Sequence, residues 1–438
     1  MAMKQTNQLI VLGNGFDIAC GLNSAYANFF HDRYSLHKWN LQKDDDETEA
    51  EMNLVDGMIS LDNEGLNESF WDIDGQPTIW DILFLLDYKS NYKNNKKLTD
   101  INWDDIESSI DRFLNFWISS HEDFLTSANN KSGINWTVAN WINAIQANLI
   151  NLIQANQFNP FQNKSNFFIF ESQLASCLKD FILEHSSISD CSFTDFLKEL
   201  KHELNQLESD FGKYLTTYAF TNHPGQYSEN SSAILQHIFT TNHQKYINTA
   251  KKLLAELIEE DTKTLYLLNN SILSFNYTTP FDESDTIRNI HGSTKEPIFG
   301  IDSIDSSTDT DKTITDERNM FTKNFRVLEL HTSQRYEKIL HPDGGNQPLD
   351  FIKFFGHSLG DADYSYFRTL FDDVDLYDGN TALMFLYTKG ANAAELNANV
   401  AHLINKYALS LPEPKQQVNL MTKLTIEGRL NIREIPQP

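Results

Sequence analysis

The chain has 438 residues, 40% of them hydrophobic and 22% charged, an ordinary globular composition with length enough for two or three domains. Its 61 acidic side chains outnumber 35 basic ones, for a formal charge of −26. That balance disfavours a long nucleic-acid duplex as partner, because affinity for DNA rests on Lys and Arg neutralising phosphates; a compact nucleotide held by backbone N–H groups remains compatible with it.

In chain order, the opening MAMKQTNQ has neither the basic nor the apolar region of a secretory signal. No later run reaches the roughly 18 apolar residues of a membrane span. Cys20, Cys177 and Cys191 form no C-x-x-C pair, as suits a reducing compartment, so a cytoplasmic protein without membrane contact is expected. Gln8 to Leu12 is a short apolar run entering a glycine turn, the pattern of a buried strand. A helix start near Asp17 or Ser24 is expected next, and Asp44-Asp45-Asp46-Glu47 reads as solvated loop. From about residue 100 the spacing predicts helices. Trp103, Ile106, Ile110, Phe113, Leu114 and Trp117 share one face, with Asp104 and Glu107 spaced as an acidic capping box. Phe170 to Ile182 carries a second such face, Leu200, Leu204, Leu207, Phe211 and Tyr214 a third, and Tyr246 to Ile258 a fourth. Trp103, Trp117, Trp141 and the phenylalanines of residues 167–170 read as a second hydrophobic core, with a substrate lid as the alternative.

After residue 262 strand-like runs return at Leu265–Leu268, Ile272–Phe275, Ile287–His291, Ile298–Gly300, Phe351–Phe355 and Ala382–Tyr387, with Asp302 to Glu317 reading as an acidic loop. The expected fold is α/β, a Rossmann-like parallel sheet interrupted by a large helical insertion. Residues 1–40 supply the first strand and glycine turn, 41–260 the insertion, and 261–438 the remainder of the sheet.

Four motifs, each at the end of an expected strand, carry the candidate chemistry. In Gly13-Asn14-Gly15-Phe16-Asp17 two close glycines permit backbone approach to an anion, or form a structural turn. In Ser274-Phe275-Asn276-Tyr277-Thr278, Asn276 offers a donor and an acceptor in one rigid group, for a sugar hydroxyl, a water or a helix cap. His291, at the end of an apolar run and before Gly292, has the side chain suited to proton transfer near neutral pH, although a lone His is more often structural. The fourth runs Gly356-His357-Ser358-Leu359-Gly360-Asp361-Ala362-Asp363. In open α/β sheets ligands bind outside the carboxyl ends of the strands, where all four would converge. Gly356 to Gly360 also has the form G-x-S-x-G, which makes a hydrolase with Ser358 as nucleophile and His402 or another late His as base a competing reading. That reading leaves Asn276 and His291 without a role.

Together LGNGFDIACGLNSAY, NWDDIESSI, SFNYTTPFD, NIHGS, IFGID and FFGHSLGDAD resemble, in content and order, the bacteriophage abortive-infection AbiH-type family. Asn23 stands where related sequences tend to carry Pro. More distantly the series is similar to the sirtuin-like, NAD-binding fold. That resemblance implies an anti-phage effector that hydrolyses NAD at the nicotinamide–ribose bond, with NAD as substrate and no required cofactor. It implies Asn276 orienting the ribose or the attacking water and His291 as general base on a ribose hydroxyl. Gly13, Asn14, Gly15, Phe16 and Asp17 would then lie on the nucleotide's phosphate side, with Gly356, His357, Ser358 and Asp361 on its adenosine side. Two departures, Asp17 for a small residue and Thr278 for an acid, point to altered ligand choice or lost catalysis. They favour the alternative of a non-catalytic nucleotide-binding sensor or scaffold, with a nucleic-acid effector third. Lys93, Lys96-Lys97 and Lys251-Lys252 are the short basic runs that could serve the third, and they read more simply as solvated faces. A nucleotide is the expected small-molecule partner and a phage protein the expected trigger, and a homo-oligomer is compatible with the sequence.

Overall fold

A computed structural model describes residues 6–34, 61–62, 65–66, 78–81, 83–85, 106–115, 118, 193–219, 224–241, 268–279, 286–302, 318–330, 339–340, 348–413, 415–417 and 419–437. The chain divides into two compact units, one of residues 1–24, 212–297 and 327–438, the other of residues 25–211 and 298–326.

The first unit holds a six-stranded sheet whose strand pairs are all parallel. Its strands are β1 (Thr6–Leu12), β2 (Leu268–Ser274), β3 (Thr286–Asn289), β4 (Phe351–Phe355), β5 (Ala382–Thr388) and β6 (Leu430–Ile435). They lie in the order β3-β2-β1-β4-β5-β6. This is the doubly wound order, in which the chain builds outward from β1 to one side and then returns to build the other, leaving a switch point between β1 and β4. Register brings the strand ends level: Leu12 lies opposite both Ser274 and Phe355, and Ser274 opposite Asn289. The four motif turns therefore leave the sheet side by side.

The continuous apolar strands follow from burial on both faces. Along β1, Leu9 and Val11 join one core and Ile10 and Leu12 the other; along β5, Leu383 and Phe385 alternate with Met384 and Leu386 in the same way. The first core is covered by α6 (Tyr364–Asp373), α7 (Ala393–Ser410) and α8 (Leu420–Ile426), through Phe367, Leu403 and Leu424 among others. The second is covered by α1 (Gly15–Ala19), through Phe16, and by α4 (Pro224–Thr240), through Tyr227, Ile234, Leu235 and Ile238. Lys353, buried in β4, donates to the carbonyls of Ile238 (2.8 Å), Phe239 (3.1 Å) and Thr241 (3.0 Å). Burial pulls its ammonium down to about 7. Three carbonyls at a helix C-terminus match its three donors and its charge.

In the second unit α2 (Tyr26–Arg33) contributes Tyr26, Phe29 and Phe30 to an aromatic cluster completed by Phe211 of α3 (Phe193–Tyr214) and by Phe299. Arg33 makes a two-pronged bond to Asp81 at 2.6 and 2.7 Å, a geometry that suits a guanidinium kept from water. Residues 106–115 are helical, with Ile106, Ile110, Phe113 and Leu114 buried as the spacing predicts. Glu107 pairs with Lys323 at 2.5 Å, the first residue of α5 (Lys323–Leu330), so it serves the interior of this unit.

The structure corrects several expected elements. Ile298–Gly300 is not a strand: Phe299 donates its N–H to Glu208 and accepts from Arg326 at 2.7 Å, which spends its backbone inside the second unit. Residues 212–297 group with the sheet unit, where α4 packs on the sheet. β6 is an unforeseen edge strand whose Arg433 and Glu434 face solvent and break the apolar run. The faces expected at Phe170–Ile182 and Tyr246–Ile258, the Trp residues of the helical middle, and the lysine runs lie outside the described residues. Among the described residues, no helix is long and apolar enough to cross a membrane.

Candidate functional site

At the switch point the turn after β1 lies directly on the turn after β4. The Gly13 N–H donates to the Phe355 carbonyl at 3.0 Å and the Gly15 N–H to the Gly356 carbonyl at 2.7 Å. A Cβ on Gly13 would stand 2.5 Å from His357 Cα, and one on Gly15 would stand 2.7 Å from Gly356 Cα. The two glycines are thus required by turn-on-turn packing, and their amides are spent on it. This replaces the expected reason for them, close approach to a pyrophosphate. Asn14 is also engaged, accepting from Ser24 Oγ at 2.6 Å, and Phe16 is fully buried, edge-on to Phe355.

Asp17 sits in the interior. Its carboxyl oxygens are each 2.8 Å from Thr278 Oγ1, and Tyr227 Oη of α4 lies 2.8 Å from Oδ1 and 3.0 Å from the Thr278 hydroxyl. The two departures from the sirtuin-like pattern therefore meet in one hydrogen-bonded group. Neither an N-cap nor a ribose contact is the role the geometry gives Asp17. Burial pushes its carboxyl up to about 7, against the lowering effect of the two hydroxyls. A folded value above the ordinary 3.8 means the native state holds an extra proton between about pH 4 and pH 7. Stability from this group is complete below that window and falls through it as pH rises, by up to about 1.4 kcal/mol per pH unit. Asp17→Asn keeps a neutral partner for the hydroxyls. Its stability in urea, relative to wild type, is expected to rise from pH 4 to pH 7 and then level off; a difference independent of pH would contradict the buried-acid assignment.

The chemistry-bearing side chains gather beyond β2, β3 and β4. Phe275 lies edge-on to the His291 ring at 5.3 Å and to the His357 ring at 4.4 Å. The Tyr277 ring lies 6.1 Å from that of His291. Asn276, between these two aromatics in the chain, is 2% exposed, and neither its amide nitrogen nor its amide oxygen has a hydrogen-bond partner among the described residues. A buried amide in that state costs about 1–3 kcal/mol, which a fold sustains where a ligand or water completes the bonds. His291 Nε2 is 3.1 Å from Asp363 Oδ1, and His357 Nε2 is 3.3 Å from Asp363 Oδ2. One buried carboxylate thus joins the turns after β3 and β4.

Ser358 and Asp361 stand apart from this group. Ser358 is exposed, its Oγ accepting from the Gly360 N–H at 3.4 Å. Asp361 is exposed and bonded to Lys406 at 2.5 Å and His402 at 3.3 Å, contacts that hold its carboxyl below the usual range despite partial burial. His402 thus turns to Asp361 and not to Ser358, so among the described residues the nucleophile-elbow reading has no serine–imidazole pair.

Asn276, His291 and His357 are therefore brought together, whereas Gly13, Gly15, Gly356, Phe16 and Asp17 build the frame beneath them. Asp363 and Tyr227 were missed as site residues. Asp363 had a signal, an acid two residues beyond Asp361 in a motif that also supplies a histidine. Tyr227, in Pro-Gly-Gln-Tyr-Ser, had none. A family model described as bacteriophage abortive infection AbiH matches residues 9–385, which runs from within β1 into β5 and takes in all four motif turns. No curated protein matches the chain, and no solved structure does.

Proposed function

This chain belongs to the bacteriophage abortive infection AbiH family, and from that premise we propose that it is an anti-phage effector of sirtuin-like type that hydrolyses NAD at the nicotinamide–ribose bond. The observation that carries this reading is Asn276, a buried amide with both its donor and its acceptor unpaired among the described residues, in the turn beside His291 at the carboxyl ends of the strands. A ribose hydroxyl, donor and acceptor at once, is complementary to such a group. The chemistry asks little more of the protein than orientation, exclusion of water and one base, because nicotinamide departs as a neutral molecule. His291 takes a proton from a ribose hydroxyl, and the electron pair of the C1′–N bond leaves with nicotinamide. Water closes the C1′–O bond and returns a proton to the ribose oxygen, and the imidazolium gives its proton to solvent. The sum is NAD plus water to nicotinamide, ADP-ribose and one proton.

The test uses purified protein and NAD, with nicotinamide and ADP-ribose measured together. Wild type is expected to release them in equal amounts. Asn276→Leu, close in size but apolar, is expected to abolish release and at the same time to stabilise the fold by about 1–3 kcal/mol, since a buried polar group without a protein partner is removed. Release undiminished in Asn276→Leu contradicts the role of this residue. Tight NAD binding without product in wild type favours the non-catalytic sensor instead.

A further inference from the structure

Asp363 lies at the end of a short 3₁₀ turn, Asp361–Asp363, directly before α6, and offers one carboxylate to imidazoles from two different turns. The state of one of these rings is set by the backbone. Leu359, held at φ 61°, donates its N–H to His357 Nδ1 at 2.9 Å. A ring nitrogen that accepts an N–H carries no hydrogen, so neutral His357 has its proton on Nε2, facing Asp363 Oδ2 at 3.3 Å. When Asp363 is ionised its oxygens can only accept, and His291 then presents Nε2–H to Oδ1 across 3.1 Å.

We infer that Asp363 is the positioning residue of this site: it fixes the proton of His291 on Nε2 and so places the base's lone pair on Nδ1, while the Leu359–His357 pair fixes the carboxylate. The inference deepens the reading of His291 as general base and rests on it for its catalytic consequence. Phe275 and Tyr277 flank the His291 ring, and Asp363 is bonded to its Nε2. A structural carboxylate would be satisfied by any arrangement of the two N–H groups. A positioning one makes a sharper demand, because replacing it by an amide cannot serve both rings. The amide has one accepting and one donating side. His357, locked by Leu359, takes the carbonyl, and the NH₂ is left facing His291 Nε2. That ring must then carry its proton on Nδ1, the nitrogen required as base.

The experiment is ring-nitrogen NMR on protein labelled with ¹⁵N-histidine, at a pH where titration shows both rings neutral, with nicotinamide release measured on the same samples. Wild type is expected to show Nε2–H on His291 and His357. Asp363→Asn is expected to move the His291 proton to Nδ1 and to lower nicotinamide release by about 100-fold or more. The double variant Asp363→Asn/His357→Phe frees the amide to turn its carbonyl to His291. It is expected to restore Nε2–H there and to recover release by roughly tenfold over the single variant. His291 keeping Nε2–H in Asp363→Asn, or failing to regain it in the double variant, overturns the inference. A wild type with the expected tautomers but no nicotinamide release overturns the NAD reading and leaves the hold of Asp363 on His291 standing.

Discussion

Replacing His291 by alanine is expected to lower NAD hydrolysis by about two to four orders of magnitude, the usual contribution of a positioned general base. The loss should fall mainly on kcat, because the imidazole acts as the C1′–N bond breaks and not when the nucleotide is first held. The fold should persist. The ring is buried, but its removal takes a single bond from Asp363, whose Oδ2 still lies 3.3 Å from His357 Nε2. A stability cost on the order of 1–3 kcal/mol is expected, readable in the urea midpoint. Full-rate hydrolysis by a folded His291→Ala protein would remove this residue from the chemistry.

The largest effect on stability is expected at Gly356. Its φ is +70°, and a Cβ there would stand 2.3 Å from the Phe16 nitrogen and 2.6 Å from the Gly15 carbonyl carbon. Both are backbone atoms of the opposing turn, so no side chain can swing aside. Gly356→Ala therefore adds the left-handed conformational cost of about 1–2 kcal/mol to a steric overlap that forces the turns after β1 and β4 apart. Separation breaks the bonds from Gly13 and Gly15 at the switch point, and a total loss of about 4 kcal/mol or more is expected. Gly21→Ala is the control. Gly21 also has a positive φ, +95°, but a Cβ there meets nothing within 4 Å among the described residues, so only the conformational cost of about 1–2 kcal/mol is expected. Equal losses in the two variants would mean that turn-on-turn packing contributes nothing beyond backbone conformation.

Much of the architecture could be read from the residues because burial on both sheet faces leaves an unbroken apolar run, as in Gln8 to Leu12 and Phe351 to Phe355. The four motifs marked strand ends for the same reason, since each run stops at Gly or at a small polar residue. What periodicity does not carry is identity of neighbours. Ile298–Gly300 has the composition of a strand, yet its hydrogen bonds go to Glu208 and Arg326. The helix α4 begins with Pro and Gly, poor helix formers, and its ordering comes from packing Tyr227, Ile234 and Ile238 on the sheet. The site was legible in its chemistry and less so in its partners. Asp361 and Asp363 are equivalent by composition, but the 3₁₀ turn between them sends the first to solvent and Lys406, the second inward to two imidazoles. Asp17 and Thr278, 261 positions apart, had no local reason to be paired.

The proposal is tested most directly in cells carrying the wild-type or the His291→Ala protein, by a mass-spectrometric profile of nucleotides before and after phage infection. NAD falling while nicotinamide and ADP-ribose rise, in wild type alone, is the predicted result. An unchanged NAD pool in infected wild-type cells that still resist the phage would contradict it.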